Sequence, residues 1–130
     1  MIAPGFWKDP EMPPVFDHLG SLHRMGGDEQ LFEEMVGFLR DDAPARLQEI
    51  RSGLSECNSP RVKIAVHTLK GLISNFGAAR AVSAAIRLEN LVQQRKPAEE
   101  LEAAFADLQA AVDELQVALA PFCTRAPSSA

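Results

Sequence analysis

Apolar residues recur along this chain with helical spacing, and the pattern divides it into five segments. Leu31, Phe32, Met35, Leu39, Ala43, Leu47, Ile50 and Leu54 share one side of a segment from Asp28 to about Leu54. Val62, Val66, Leu69, Ile73 and Phe76 follow at steps of four, three, four and three. Ala81, Ala85, Leu88 and Val92 lie on the centre line of a third segment, Ala78 to about Arg95. Leu101, Phe105, Leu108, Val112, Leu115 and Leu119 form a seam on a fourth. A repeat of three and four residues places side chains on one stripe of an α-helix, the part that buries against other helices. A shorter pattern, Val15, Leu19 and Leu22, predicts a small helix from Val15 to Met25, stopped by Gly26-Gly27.

The breaks between segments carry their own chemistry. Ser59-Pro60 reads as an N-cap followed by proline at the first helical position, and Gly77 as the stop after Phe76. Lys96-Pro97 separates the last two helices, and Pro121 ends the chain's helical part. Pro44 falls inside the longest segment and removes a backbone donor there, so a bend is expected near Arg40 to Ala43. Four long helices joined by short loops predict an all-α, up-down-up-down antiparallel four-helix bundle with an additional short N-terminal helix. The expected organisation is an irregular, proline-rich arm over 1–14, a helical domain over 15–122 and a polar tail over 123–130.

Composition leaves this picture in place. A hydrophobic fraction of 46% and a charged fraction of 24% suit a globular domain, and 130 residues are enough for one core. No apolar run approaches the roughly 20 residues of a membrane span. The N-terminus has no secretory signal pattern, and Cys57 and Cys123 make no CxxC pair. A cytoplasmic chain with reduced thiols is the expectation, although a bridge between the two remains open. His18 and His23, five apart, fall on different faces of the short helix, so surface histidines are expected and no metal site.

Charge does change the picture. From Pro60 to Lys96 the bases are Arg61, Lys63, Lys70, Arg80, Arg87, Arg95 and Lys96, against a single acid, Glu89. That segment carries +6 and the remainder −11, within a net charge of −5. A basic middle third would attract an acidic partner and speed encounter with it. At the centre of it stands His67, well off the apolar stripe, with Lys63 at i−4, Lys70 at i+3, Gly71 at i+4 and Ser74 at i+7 on the same outer face. Glycine costs roughly 1 kcal/mol relative to alanine inside a helix, so Gly71 is best explained by access for another molecule. An imidazole ordinarily titrates near pH 6.5, so much of it is neutral at pH 7 and one nitrogen can act as nucleophile. A phosphoryl group carried by a partner could move onto that nitrogen. Such transfer needs in-line positioning and cations for the equatorial oxygens more than acid–base machinery. Lys70 and, behind it, Lys63 are expected as exposed, flexible sources of positive charge.

The stretch His67-Thr68-Leu69-Lys70-Gly71, followed by Asn75-Phe76-Gly77-Ala78, resembles the histidine-containing phosphotransfer (HPt) domain of bacterial phosphorelays. The resemblance runs from about Phe16 to Leu119 and includes Asp41-Asp42-Ala43-Pro44. It implies that Nε2 of His67 accepts phosphate from an aspartyl phosphate of a response-regulator receiver domain and returns it to another. It also implies that Lys70 contacts the phosphoryl oxygens and that Gly71 leaves room for the receiver. Lys63, Ile64, Ser74 and Asn75 would belong to the partner-binding surface. Family members commonly carry Gln or Glu on the next helix, bonded to the other imidazole nitrogen, and Glu89 falls at the matching place. A carboxylate accepting the Nδ1 proton would fix the tautomer and orient the ring. The residues alone leave open an ion pair of Glu89 with Arg87 or Lys96. Some relatives bear Arg or Lys one turn beyond, where this chain has Gln93.

The implied protein is a phosphocarrier that needs no cofactor, works as a monomer and contacts neither membrane nor nucleic acid. It could be a module of a larger hybrid kinase. An alternative is a scaffold module that binds an acidic partner through the basic hairpin of residues 60–96. Kinase nucleotide-binding motifs, HExxH and clustered ligand sets are missing from the sequence, as are the interleaved aromatics of a nucleic-acid surface.

Overall fold

The computed structural model describes residues 15–123. The arm expected over 1–14 and the tail from Thr124 onward lie outside them. Five α-helices follow in order: α1 (His18–Arg24), α2 (Glu29–Ser55), α3 (Ser59–Ser74), α4 (Ala79–Gln93) and α5 (Ala98–Leu119), closed by a 3-10 turn at Ala120–Phe122. In the antiparallel bundle α2 packs on α3, α3 on α4, α4 on α5, and α5 back on α2, while α1 and the 3-10 turn rest on α2.

Each helix start has a local cause. Asp17 caps α1 by accepting from the Gly20 N–H at 2.9 Å, and Asp28 caps α2 by accepting from Leu31 N–H at 3.0 Å. The cap of α3 is Asn58, whose Oδ1 accepts from Arg61 N–H at 3.2 Å. Helix α3 therefore starts one residue earlier than expected, with Ser59-Pro60 inside its first turn, because Asn58 fills the capping role equally well. Loss of this bond in Asn58→Ala is expected to cost about 1 kcal/mol of stability, read as a lower midpoint in chemical denaturation. Helix α5 has no side-chain cap but carries Glu99 and Glu100 in its first turn, next to the positive end of its dipole.

The stops are equally local. Gly77 has φ of +60°, a conformation that L side chains rarely adopt, and its N–H donates to the Ser74 carbonyl. Non-glycine residues hold the same left-handed region at Cys57 (+54°) and Arg95 (+56°), just beyond α2 and α4. Helix α2 runs continuously through Pro44, as the pattern to Leu54 predicts. Beside this point Gln116 of α5 donates to the Leu39 carbonyl at 3.3 Å, an extra bond near the place where proline removes a donor.

The stripes of α2 to α5 meet in one core. Val62, Val66, Leu69, Ile73 and Phe76 are all 0–1% exposed, as are Leu88, Leu108 and Val112. Burying one such side chain stabilises by roughly 1.5–3 kcal/mol, which fixes the rotation of α3 about its axis. Gly53 is buried where α2 and α3 converge, and an added Cβ would stand 2.7 Å from Cγ2 of Val62. The helices could not approach so closely over any larger residue there.

The N-terminal helix departs from its expected form. It begins at His18, so Val15 precedes it, and Leu19 points outward at 79% exposure. Ser21, Leu22 and Met25 face inward instead. His18 is not an ordinary surface residue. Its ring lies 4.7 Å from the ring of Phe32 and 4.8 Å from that of Phe122, with Phe16 beside it. Cys123, expected in the tail, packs against the bundle and accepts from Nη1 of Arg40 at 2.9 Å. Cys57 and Cys123 are not joined by a disulfide.

Candidate functional site

The α3 stripe decides where His67 points. With Val66 and Leu69 fully buried, the intervening His67 is turned outward, and its side chain is 76% exposed. Ile64, an apolar residue at the preceding turn, is 69% exposed. Gly71 opens the following turn, where nothing stands within 4 Å of an added Cβ. Gly71→Gln is therefore expected to leave folding intact and to raise stability by about 0.5–1 kcal/mol, through better helix propensity. Slower phosphoryl transfer at unchanged thermal stability or better would confirm that this turn is kept open for a partner. Ser74 spends its hydroxyl on the Lys70 carbonyl at 2.7 Å, and the Asn75 carbonyl accepts from Nη2 of Arg24 at 3.1 Å. The far end of the candidate surface is thus tied to α1, together with a bond from Asp17 N–H to the Phe76 carbonyl at 2.7 Å.

The other flank of His67 faces α4. The two helices run antiparallel, so Gln93 stands opposite Lys63 and Glu89 opposite His67. Glu89 Oε1 accepts from the Lys70 ammonium at 2.8 Å, and Oε2 lies 3.8 Å from Nδ1 of His67. The second distance exceeds that of a hydrogen bond, about 2.7–3.2 Å, so the carboxylate faces the imidazole without bonding to it. Neither Arg87 nor Lys96 is its partner: Arg87 pairs with Asp107 of α5 at 2.9 Å. Lys70 and Lys63 are not the free, flexible cations expected. The Lys70 side chain is 26% exposed and bound to Glu89, and Lys63 donates to Oε1 of Gln93.

The bases of the middle segment divide accordingly. Arg61 pairs with Glu56, Lys70 with Glu89, Arg80 with Glu114 and Arg87 with Asp107. Lys63, Arg95 and Lys96 have no acidic partner among the described residues, and all three line a cavity of about 520 Å³ between the α2–α3 and α4–α5 connections. Among the described residues no group of three or more His, Cys, Asp or Glu side chains is placed to hold a metal ion. No described helix is long and apolar enough to cross a membrane.

An exposed histidine on a bundle helix, flanked by lysines and an open glycine turn, is the arrangement that the sequence resemblance anticipates. The sequence model of the Hpt domain matches residues 34–118, more than half of the chain. The chain belongs to the Hpt family. The match covers α3 and α4 entirely and most of α2 and α5. No curated protein and no solved structure matches the chain. Membership gives the chain a histidine phosphotransfer role in phosphorelays, as a phosphocarrier and not a kinase, with receiver domains of response regulators as its class of partner. Sequence reasoning missed both lysine pairings, Lys63 with Gln93 and Lys70 with Glu89, because they depend on how α3 and α4 meet.

Proposed function

We propose that His67 is the phosphoacceptor, taking a phosphoryl group from a receiver aspartyl phosphate and passing it to another receiver or back. The observation that carries this reading is the exposure of the imidazole on a helix whose opposite face is locked in the core. In the forward step Nε2 attacks phosphorus in line, the P–N bond forms and the P–O bond to the aspartyl carboxylate breaks. The aspartate leaves as a carboxylate, and the ring becomes positively charged with its proton on Nδ1. Glu89 Oε2, 3.8 Å from that nitrogen, faces the new charge. Lys70 holds the other oxygen of the same carboxylate and so keeps it beside the ring.

The receiver docks over Ile64, Gly71, Ser74 and Asn75, where an apolar side chain and a gap give its backbone a seat. The chain acts as a monomer and engages no nucleic acid. Incubation with a panel of receivers, each charged with labelled phosphate, tests the reading. An acid-labile, base-stable label mapping to the peptide that contains His67 is expected. Label on His18 or His23, or none from any receiver, would overturn it.

A further inference from the structure

We propose that the ammonium group of Lys63, held by the carboxamide of Gln93, is the cation that faces a phosphoryl group on His67, with Gln93 as its positioning residue. The inference rests on the reading of His67 as phosphoacceptor and departs from the expectation that Lys70 supplies this charge.

The argument is a comparison of two flanking pairs. Lys63 at i−4 and Lys70 at i+3 both lie about one turn from His67, near enough to act on a group attached to it. Both are directed toward α4, since each finds its partner there. The partners differ in charge. Lys70 meets a carboxylate at 2.8 Å, with both side chains only about a quarter exposed, so the pair presents no net charge to an incoming dianion. Lys70 also keeps two protons to donate, but the carboxylate it already holds balances its charge, so it offers the phosphoryl oxygens less net attraction.

Lys63 meets a neutral amide, which orders the ammonium without cancelling its charge. An amide oxygen accepts one of three ammonium protons and leaves two to donate elsewhere. Holding the side chain in advance also removes part of the entropy that a free lysine loses on binding. The register places Gln93 one turn beyond Glu89 on α4, so one helix supplies both supports: a carboxylate opposite the imidazole and an amide opposite the cation.

Phosphoramidate, a small phosphoryl donor that needs no receiver, tests this on the whole protein. After labelling, ³¹P NMR follows the second ionisation of the phosphoryl group against pH. A cation nearby favours the dianion, so Lys63→Met is expected to raise that ionisation by about 0.5 pH unit. Gln93→Ala should shift it the same way by less, and Gln93→Glu should do so by cancelling the charge of Lys63. Lys63→Arg should keep the parental value. The charge-neutral double variant Lys70→Met/Glu89→Gln should move it less than Lys63→Met does. Circular dichroism on each variant separates these effects from loss of fold, which would not shift a phosphoryl titration while leaving the helices intact. A label on His67 with the same titration in Lys63→Met as in the parent overturns this inference alone. A label on another residue overturns the phosphoacceptor reading, and this inference with it.

Discussion

His67→Gln is expected to reduce phosphoryl uptake to background while leaving the free energy of unfolding within about 0.5 kcal/mol of the parent, the usual range for an exposed substitution. The two halves of this result have separate causes. Uptake is lost because glutamine can hydrogen-bond but has no ring nitrogen to form a P–N bond. Stability is kept because the residue makes no core contact: its neighbours Val66 and Leu69 bury themselves without it, and its nearest charged partner stands 3.8 Å away. Glu89 keeps its stronger partner, Lys70, when the ring is gone. Labelled transfer from a charged receiver, combined with urea denaturation, measures both halves. Residual labelling would place the acceptor elsewhere, and a large stability loss would show that the ring is part of the structure.

The bundle was legible in the sequence wherever a helix was long enough to repeat its pattern. The five apolar positions at alternating steps from Val62 to Phe76 are all buried in the core, together with Ala65, and the same periodicity put His67 outside. Short segments gave weaker guidance. Val15, Leu19 and Leu22 fit a helical stripe only if the helix includes Val15, and Asp17 starts it later by taking the capping position. Leu19 then turns to solvent, and anchorage falls to Phe16, Leu22, Met25 and the bond between Asp17 and Phe76. Leu31 fails for a related reason: it is in the first turn of α2, before the neighbouring helices cover that side, and is 37% exposed. The aromatic surroundings of His18 were hidden because they join residues from the two ends of the domain. At the site, residue identities were legible and pairings were not. Spacing along α3 places two lysines beside His67, but only the meeting with α4 decides which lysine receives the carboxylate and which the amide.

Phe32→Ala is expected to lower the stability of the domain by about 3–5 kcal/mol, the range for deleting a fully buried aromatic ring. Phe32 is 0% exposed and stands at the junction of α1, α2, the end of α3 and the 3-10 turn. Its ring lies 5.4 Å from that of Phe122 and 5.8 Å from that of Phe76, both edge-on, and 4.7 Å from His18. Edge-to-face aromatic pairs contribute beyond the area they bury, and all of these contacts are lost together. No nearby side chain is free to fill the space, since Phe16 and His18 already pack against Phe122. His67 lies more than two helical turns before Phe76, and its supports on α4 do not touch this cluster. Transfer per folded molecule should therefore be unchanged well below the lowered melting temperature, while the fraction folded falls on mild heating. Denaturation curves and transfer rates measured at two temperatures read the two quantities separately. A slow variant at low temperature, with its helices intact, would show that the aromatic end of the bundle helps to hold the phosphotransfer face in place.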